Sequence, residues 1–217
     1  MMNKEKLLRF AAVVPLLMTL LLTACGGFSP AGGSKPPATP NEPPPITDYP
    51  SFKAQPDYPS TFKSYRNEEI FSRTVPSNSH ILISISLQRA FLMNGNDVAL
   101  DYPVSTGKAS HPTPAGNYTI LEMIVDKRSN LYGKVYGASG HVVDSNADAR
   151  HAKIPPGGRF LGAAMPYWMR LTWTGIGMHV GEVPRYPASH ACIRGQADIV
   201  PAVFSKVRIG TPVTIAN

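Results

Sequence analysis

Residues 80–87, HILISISL, alternate without a break: Ile81, Ile83, Ile85 and Leu87 fall on one side, Leu82, Ser84 and Ser86 on the other. A period of two belongs to a strand with one buried face and excludes a helix there. After RAFLMN and Asn94-Gly95-Asn96 the alternation resumes through Val98, Leu100, Tyr102 and Val104. Two such runs joined through an Asn-Gly step predict a hairpin. NYTILEMIV (117–125), MPYWMRLTW (165–173) and the closing TPVTIA are expected as further strands. In the second of these, Tyr167, Met169, Leu171 and Trp173 share a face. Only ADIVPAVFSKV reads as helix, with Asp198 as N-cap, Pro201 in the first turn and Gly210 beyond the end. The expectation is a mainly β unit over residues 78–217, sandwich- or barrel-like, with one or two short helices. A stretch of that length suffices for one core.

Between the expected strands, STGK (105–108) and TPAG (113–116) are turn chemistry: Pro114 presets φ and Gly116 accepts positive φ. Residues 128–164 have little period and read as a long, lid-like loop, since long loops in compact domains are usually functional or disordered.

Upstream the composition changes. MMNKEKLLRF is basic, FAAVVPLLMTLLLTA is apolar, and small residues follow, which is the pattern of an export signal over 1–24. The apolar run is interrupted by Pro15 and is shorter than the roughly twenty residues a spanning helix needs. Its exit, LTAC, resembles the lipobox of bacterial lipoproteins, which implies a lipid on Cys25 and a membrane as partner. Gly26 stands where an aspartate is associated with inner-membrane retention, so the expected location is the periplasmic face of the outer membrane. Residues 25–77 are expected as a Pro/Gly-rich tether and lead-in, with RNEEIFSRTVPSN as the ordered part. The signal carries Lys4, Lys6 and Arg9 against Glu5, a net +2, so removing it takes the formal charge from +7 to +5. A basic surface favours anionic wall or membrane partners. Nucleic acid is excluded as the expected partner by the absence of a basic run with interleaved aromatics.

The chemistry-bearing stretch is YPASHACIRG (186–195), with His179 upstream in GIGMHVGEV. Of the two cysteines, Cys25 would carry the lipid that the lipobox resemblance implies, which would leave Cys192 as a lone thiol in an exported chain, a setting in which reactivity is suspected. The alternatives are a buried apolar filler and a zinc ligand with His179 and His190. Zinc needs a fourth ligand or an open water position, and no CxxC or HxxxH backs it. As a nucleophile, a thiol of ordinary pKa needs a base or cation to become a thiolate, and His179 and His190 are the candidates.

In order, SLQRAFLMNG, YPVSTGKASHPTPAGNYTI, SNLYG, MPYWMRLTWTGIGMHVG, YPASHACIR and GTPVTI resemble the L,D-transpeptidase (YkuD-type) catalytic domain over roughly residues 79–216. The resemblance implies a two-sheet, mainly β fold, no metal or other cofactor, and peptidoglycan stem peptides as substrate. It also implies sensitivity to carbapenems. Cys192 would take the acyl group of a stem's third residue and pass it to an amine on another stem or on a wall-attached lipoprotein. His179 would be the base, oriented by the carbonyl of Val180, with the backbone amides of His190, Ala191 and Cys192 aimed at the oxyanion. Arg194, Ser189 and Tyr167 are the candidate substrate contacts. Transfer to water, or a wall-binding role without catalysis, are the alternatives. The family has glycine where this chain has Ala191, and the usual apolar residue and proline after the arginine are replaced by Gly195 and Gln196. If that position needs positive φ, alanine costs about 1 kcal/mol or more.

Overall fold

A computed structural model describes residues 48–217. The expected signal at 1–24, the lipid site Cys25 and the tether residues up to 47 lie outside the described residues. In chain order the elements are α1 (Tyr49–Lys53), β1 (Tyr65–Arg66), α2 (Glu68–Arg73), β2 (Ser79–Ser84), β3 (Arg89–Asn94) and β4 (Asp97–Ser105). There follow β5 (Gly116–Thr119), β6 (Glu122–Ile124), β7 (Arg128–Tyr136), β8 (Val142–Asp148) and β9 (Arg159–Ala164). The chain ends with β10 (Trp168–Arg170), β11 (Gly177–Val180), β12 (Ile193–Gly195), α3 (Val200–Phe204) and β13 (Pro212–Ala216). The fold is mainly β, in two sheets, as expected.

The two alternating runs are β2 and β4, and each pairs with β3 between them and not with the other, so the Asn-Gly step closes the hairpin β3–β4. Ile81 and Ile83 are buried, and β3 turns into β4 through Gly95 at φ +56. Leu100, Tyr102 and Val104 enter the same core. The large sheet runs β5-β13-β2-β3-β4-β12-β11-β10-β6, with β1 added on β4. The stretch 117–125 is not one strand. It breaks at the buried Ile120, whose amide bonds to Thr211 O (3.0 Å) while the Leu121 amide bonds to Arg170 O (2.8 Å). β5 therefore lies on one edge of the sheet and β6 on the other, so this crossing draws the curled sheet toward a barrel. Alternation cannot report a strand that changes edges halfway.

Three further expectations are corrected. Residues 128–164 are a second, antiparallel sheet, β8-β7-β9, and not a loop. Its period is masked because much of both faces is exposed and Val135 and Ala147 are its only residues in the buried core. Only Trp168–Arg170 of 165–173 is strand, since Tyr167 takes a left-handed φ of +55. The helix α3 starts two residues later than its expected cap: Ile199 is the N-cap, without a side-chain bond, and Asp198 caps nothing.

The folded unit also begins earlier than residue 78. Phe52, Tyr65 and Phe71 are buried, and Asn67 caps α2 by accepting from the Ile70 amide at 2.9 Å. Beneath this segment Arg89 is ion-paired with Asp101, both fully buried. The Arg89 guanidinium donates to the carbonyls of Pro59 (3.2 Å), Thr61 (3.2 Å) and Lys63 (3.1 Å), and the Tyr49 and Tyr58 hydroxyls donate to Asp101 (3.1 and 3.2 Å). Residues 48–77 thus cover the outer face of β4, which is why that strand is buried on both sides from Ala99 to Ser105. The segment shows no period because a polar hub and scattered aromatics hold it, not an amphipathic face.

Candidate active site

Strands β11 and β12 are parallel, with Met178 opposite Ile193 and His179 opposite Arg194. Met178 and Ile193 face the core, so period-two alternation sends His179 and Arg194 to the other side. Cys192 immediately precedes β12, two residues from Arg194, and joins them on a cleft of about 790 Å³. Tyr132, Ser189, His190 and Ala191 line the same cleft. Gly177 opens β11 because a Cβ there would meet the Trp168 ring at 2.5 Å.

His179 is 6% exposed, and its Nδ1 lies 2.7 Å from the Val180 carbonyl, the orienting contact expected from the sequence. A carbonyl can only accept, so Nδ1 carries the proton and Nε2 is the basic nitrogen. Burial lowers the pKa of the ring to about 4; the Val180 bond opposes this and Arg194 adds to it. Burial likewise raises the Cys192 thiol, against the Gly177 amide, Arg194 and Arg170. Its Sγ is 3.5 Å from the Gly175 carbonyl. Burial thus favours the neutral form of both the thiol and the imidazole.

The turn carrying Ser189–Cys192 is clamped by residues read from the sequence as punctuation. Ser105 Oγ donates to Tyr186 O (2.8 Å) and accepts from the Ala188 amide (3.2 Å). Thr106 O accepts from the amides of Ala188 and Ser189, both at 3.0 Å, and the Lys108 amide donates to Ser189 O at 2.9 Å. Thr113 Oγ1 accepts from the Gly107 amide (2.8 Å) and donates to Ala191 O (2.9 Å). A Cβ on Gly107 would overlap the His111 carbonyl and meet Ala191 Cα at 2.8 Å, so this glycine is required for the close approach. The available signal was a Ser-Thr-Gly and a Thr-Pro flanking one loop, small hydroxyls suited to capping backbone groups. Ala191 sits at φ +73, the conformation that favours glycine.

The remaining expected residues divide. The His190 ring stacks on Tyr132 of β7 (centroids 4.5 Å apart, 26° between planes) and lies 4.7 Å from His111, which ties the small sheet to the site. Arg194 forms no ion pair among the described residues and remains available to an anion. Ser189 is 1% exposed and acts through its main chain. Tyr167 is a correction: it is not in the cleft but packs edge-on against Phe204 at 5.4 Å, on the core side. That is the side which alternation with Met169 and Leu171, both in the core, assigns to it. Among the described residues no group of three or more His, Cys, Asp or Glu is arranged to hold a metal.

The model of the L,D-transpeptidase catalytic domain, YkuD, matches residues 78–215. Among solved structures, an L,D-transpeptidase from Mycobacterium smegmatis is 22% identical over 64% of this chain and 58% of that one, with a TM-score of 0.48. L,D-transpeptidase 1 of Mycobacterium tuberculosis is 25% identical over 64% and 62%, with a TM-score of 0.46. The catalytic domain of the Enterococcus faecium enzyme is 24% identical over 63% and 95%, with a TM-score of 0.45. This chain spans about three-fifths of the length of the two mycobacterial structures. No curated protein matches it.

Proposed function

From the premise that the chain belongs to the L,D-transpeptidase catalytic domain family, we propose that Cys192 forms a thioester with a peptidoglycan stem peptide and passes it to an amine. The observation that carries this is His179 and Cys192 on one face of paired strands, with Nδ1 of the histidine held on Val180 O and Nε2 left as base. Sulfur attacks the carbonyl carbon of the third stem residue while Nε2 takes the thiol proton. The backbone amides of the Ser189–Cys192 turn receive the developing oxyanion. The C–N bond then breaks, and His179 returns the proton to the departing D-amino acid. The acceptor amine repeats the sequence in reverse, loses its proton to His179 and regenerates the thiol.

Supporting a stem as donor, the cleft holds Lys127, Lys134 and Arg194 without ion-pair partners among the described residues, against Glu182 alone. Stem peptides are rich in carboxylates. LTAC supports lipid anchoring at Cys25 in the cell envelope, and replacing Cys25 by Ser should release the chain from the membrane fraction.

The test is purified protein with a disaccharide-tetrapeptide, products identified by mass, alongside a carbapenem whose strained ring stands in for the donor carbonyl. The adduct is expected on Cys192, absent in Cys192→Ser, and formed roughly 10²–10⁴-fold more slowly in His179→Ala. Loss of the terminal residue without cross-linking would make water the acceptor. No adduct on a folded protein would leave only the wall-binding role.

A further inference from the structure

The chain has two tryptophans of opposite character: Trp168 is 1% exposed and Trp173 is 74% exposed. The exposed indole is not loose. Its turn is closed by the Leu171 and Thr172 amides on Ile176 O (2.9 and 3.1 Å) and the Gly175 amide on Thr172 O (3.2 Å). The Ile176 amide also donates to Thr172 Oγ1 at 3.0 Å. The Arg170 guanidinium lies over both indoles, 5.5 Å from Trp168 and 5.3 Å from Trp173. Glu122 anchors this stack, accepting from Arg170 Nε (3.0 Å) and Trp168 Nε1 (3.1 Å). The inner end of the stack is the site itself, since the Trp168 ring is 6.0 Å from that of His179. Such a ladder holds one face of Trp173 against a cation and presents the other to water, one residue from Thr174 in the cleft wall.

We propose that Trp173 is a stacking platform for a pyranose ring of the glycan that carries the donor stem. This rests on the stem-peptide reading above. A second cation is disfavoured on an indole already placed beside Arg170. Alanine and acidic residues of a stem offer no large apolar side chain to cover it. The C–H face of a sugar suits a flat, rigid indole, and the distance fits. Gly175, two residues from Trp173, has its carbonyl 3.5 Å from Cys192 Sγ. With Cα atoms about 3.8 Å apart along the chain, Trp173 Cα is within about 14 Å of the sulfur. Three stem residues between the sugar and the scissile bond reach about 10 Å.

The experiment titrates the Cys192→Ser protein with free tetrapeptide and with the disaccharide-tetrapeptide, reading Kd by calorimetry and following tryptophan emission alongside. The expected result is a blue shift with the disaccharide form alone, and a Kd at least threefold lower than for the free peptide. Trp173→Ala should erase both the shift and the difference in Kd, and Trp173→Tyr should retain part of the difference. Emission from buried Trp168 verifies that the Ala variant is folded. Equal Kd values for the two ligands, binding of neither, or a sugar-dependent gain that survives in Trp173→Ala would each overturn the proposal. This binding measurement does not need the thiol. Failure of the acyl-enzyme reading would instead appear in the natural chain as a Cys192 that neither donor nor carbapenem acylates.

Discussion

His179 combines burial with a fixed tautomer, and this sets how the site should respond to acid. A base with a pKa of about 4 is neutral throughout the physiological range, so acylation should need no further deprotonation of the ring above roughly pH 5. Its acid limb is expected near 4, measured as the pH dependence of carbapenem adduct formation. Folding stability should move in the same window. An unfolded histidine takes its proton near 6.5, whereas the folded ring refuses it until about 4. The contribution is complete above 6.5 and is lost as pH falls from 6.5 to 4, about 3 kcal/mol at about 1.4 per unit. Urea unfolding at pH 7 and pH 4.5 checks this: His179→Gln should lose less stability over that interval than the natural chain. Ala191 adds a second residue-scale cost, about 1 kcal/mol for a left-handed alanine. The Thr113 and Gly107 contacts on either side of it offset that cost by holding the turn.

Among the elements, strand 79–84 and the closing strand were legible from period two because each keeps one face on a single core, and β4 because the second face it buries carries Asp101 and Ser105. β11 and β12 were not legible as strands, since four and three residues are too few for a period; only the His179 and Cys192 motif on and beside them could be read. The sheet over 128–164 was not legible, as strands exposed over much of both faces carry no hydrophobic alternation. The clamp from the β4–β5 connection to the Ser189–Cys192 turn was not legible either, because side-chain bonds to a distant backbone leave no local pattern. That clamp makes a prediction at the scale of the element. Thr113→Val keeps the shape but removes the bonds to Gly107 N and Ala191 O, at a cost of about 1–3 kcal/mol for buried groups left unmade. Acylation of Cys192 should slow at least severalfold with the acid limb unchanged, because the turn's amides move while His179 does not. A rate equal to that of the natural chain would mean that Ser105, Thr106 and Lys108 suffice to hold the turn.

For the whole molecule, the covering of β4 by residues 48–77 decides what counts as the folding unit. The family resemblance begins at residue 78, yet Arg89 and Asp101 inside that span are completed by groups before it. A chain beginning at Asn78 would strip three carbonyls from the guanidinium and two hydroxyls from the carboxylate. It would also lose the burial of Phe52, Tyr65 and Phe71, each worth about 1.5–3 kcal/mol. At about 2–4 °C per kcal/mol for a domain of this size, the expected loss in Tm is on the order of 10–35 °C. A chain beginning at Asp48 should melt as the full-length protein does, because every contact of the segment among the described residues is retained. Thermal unfolding of the two truncations side by side checks this. Equal, cooperative transitions would show that the buried ion pair tolerates water on its outer side. A low or broad transition for the shorter chain alone would place the start of the domain at the first buried aromatic, Phe52, rather than at the first alternating strand.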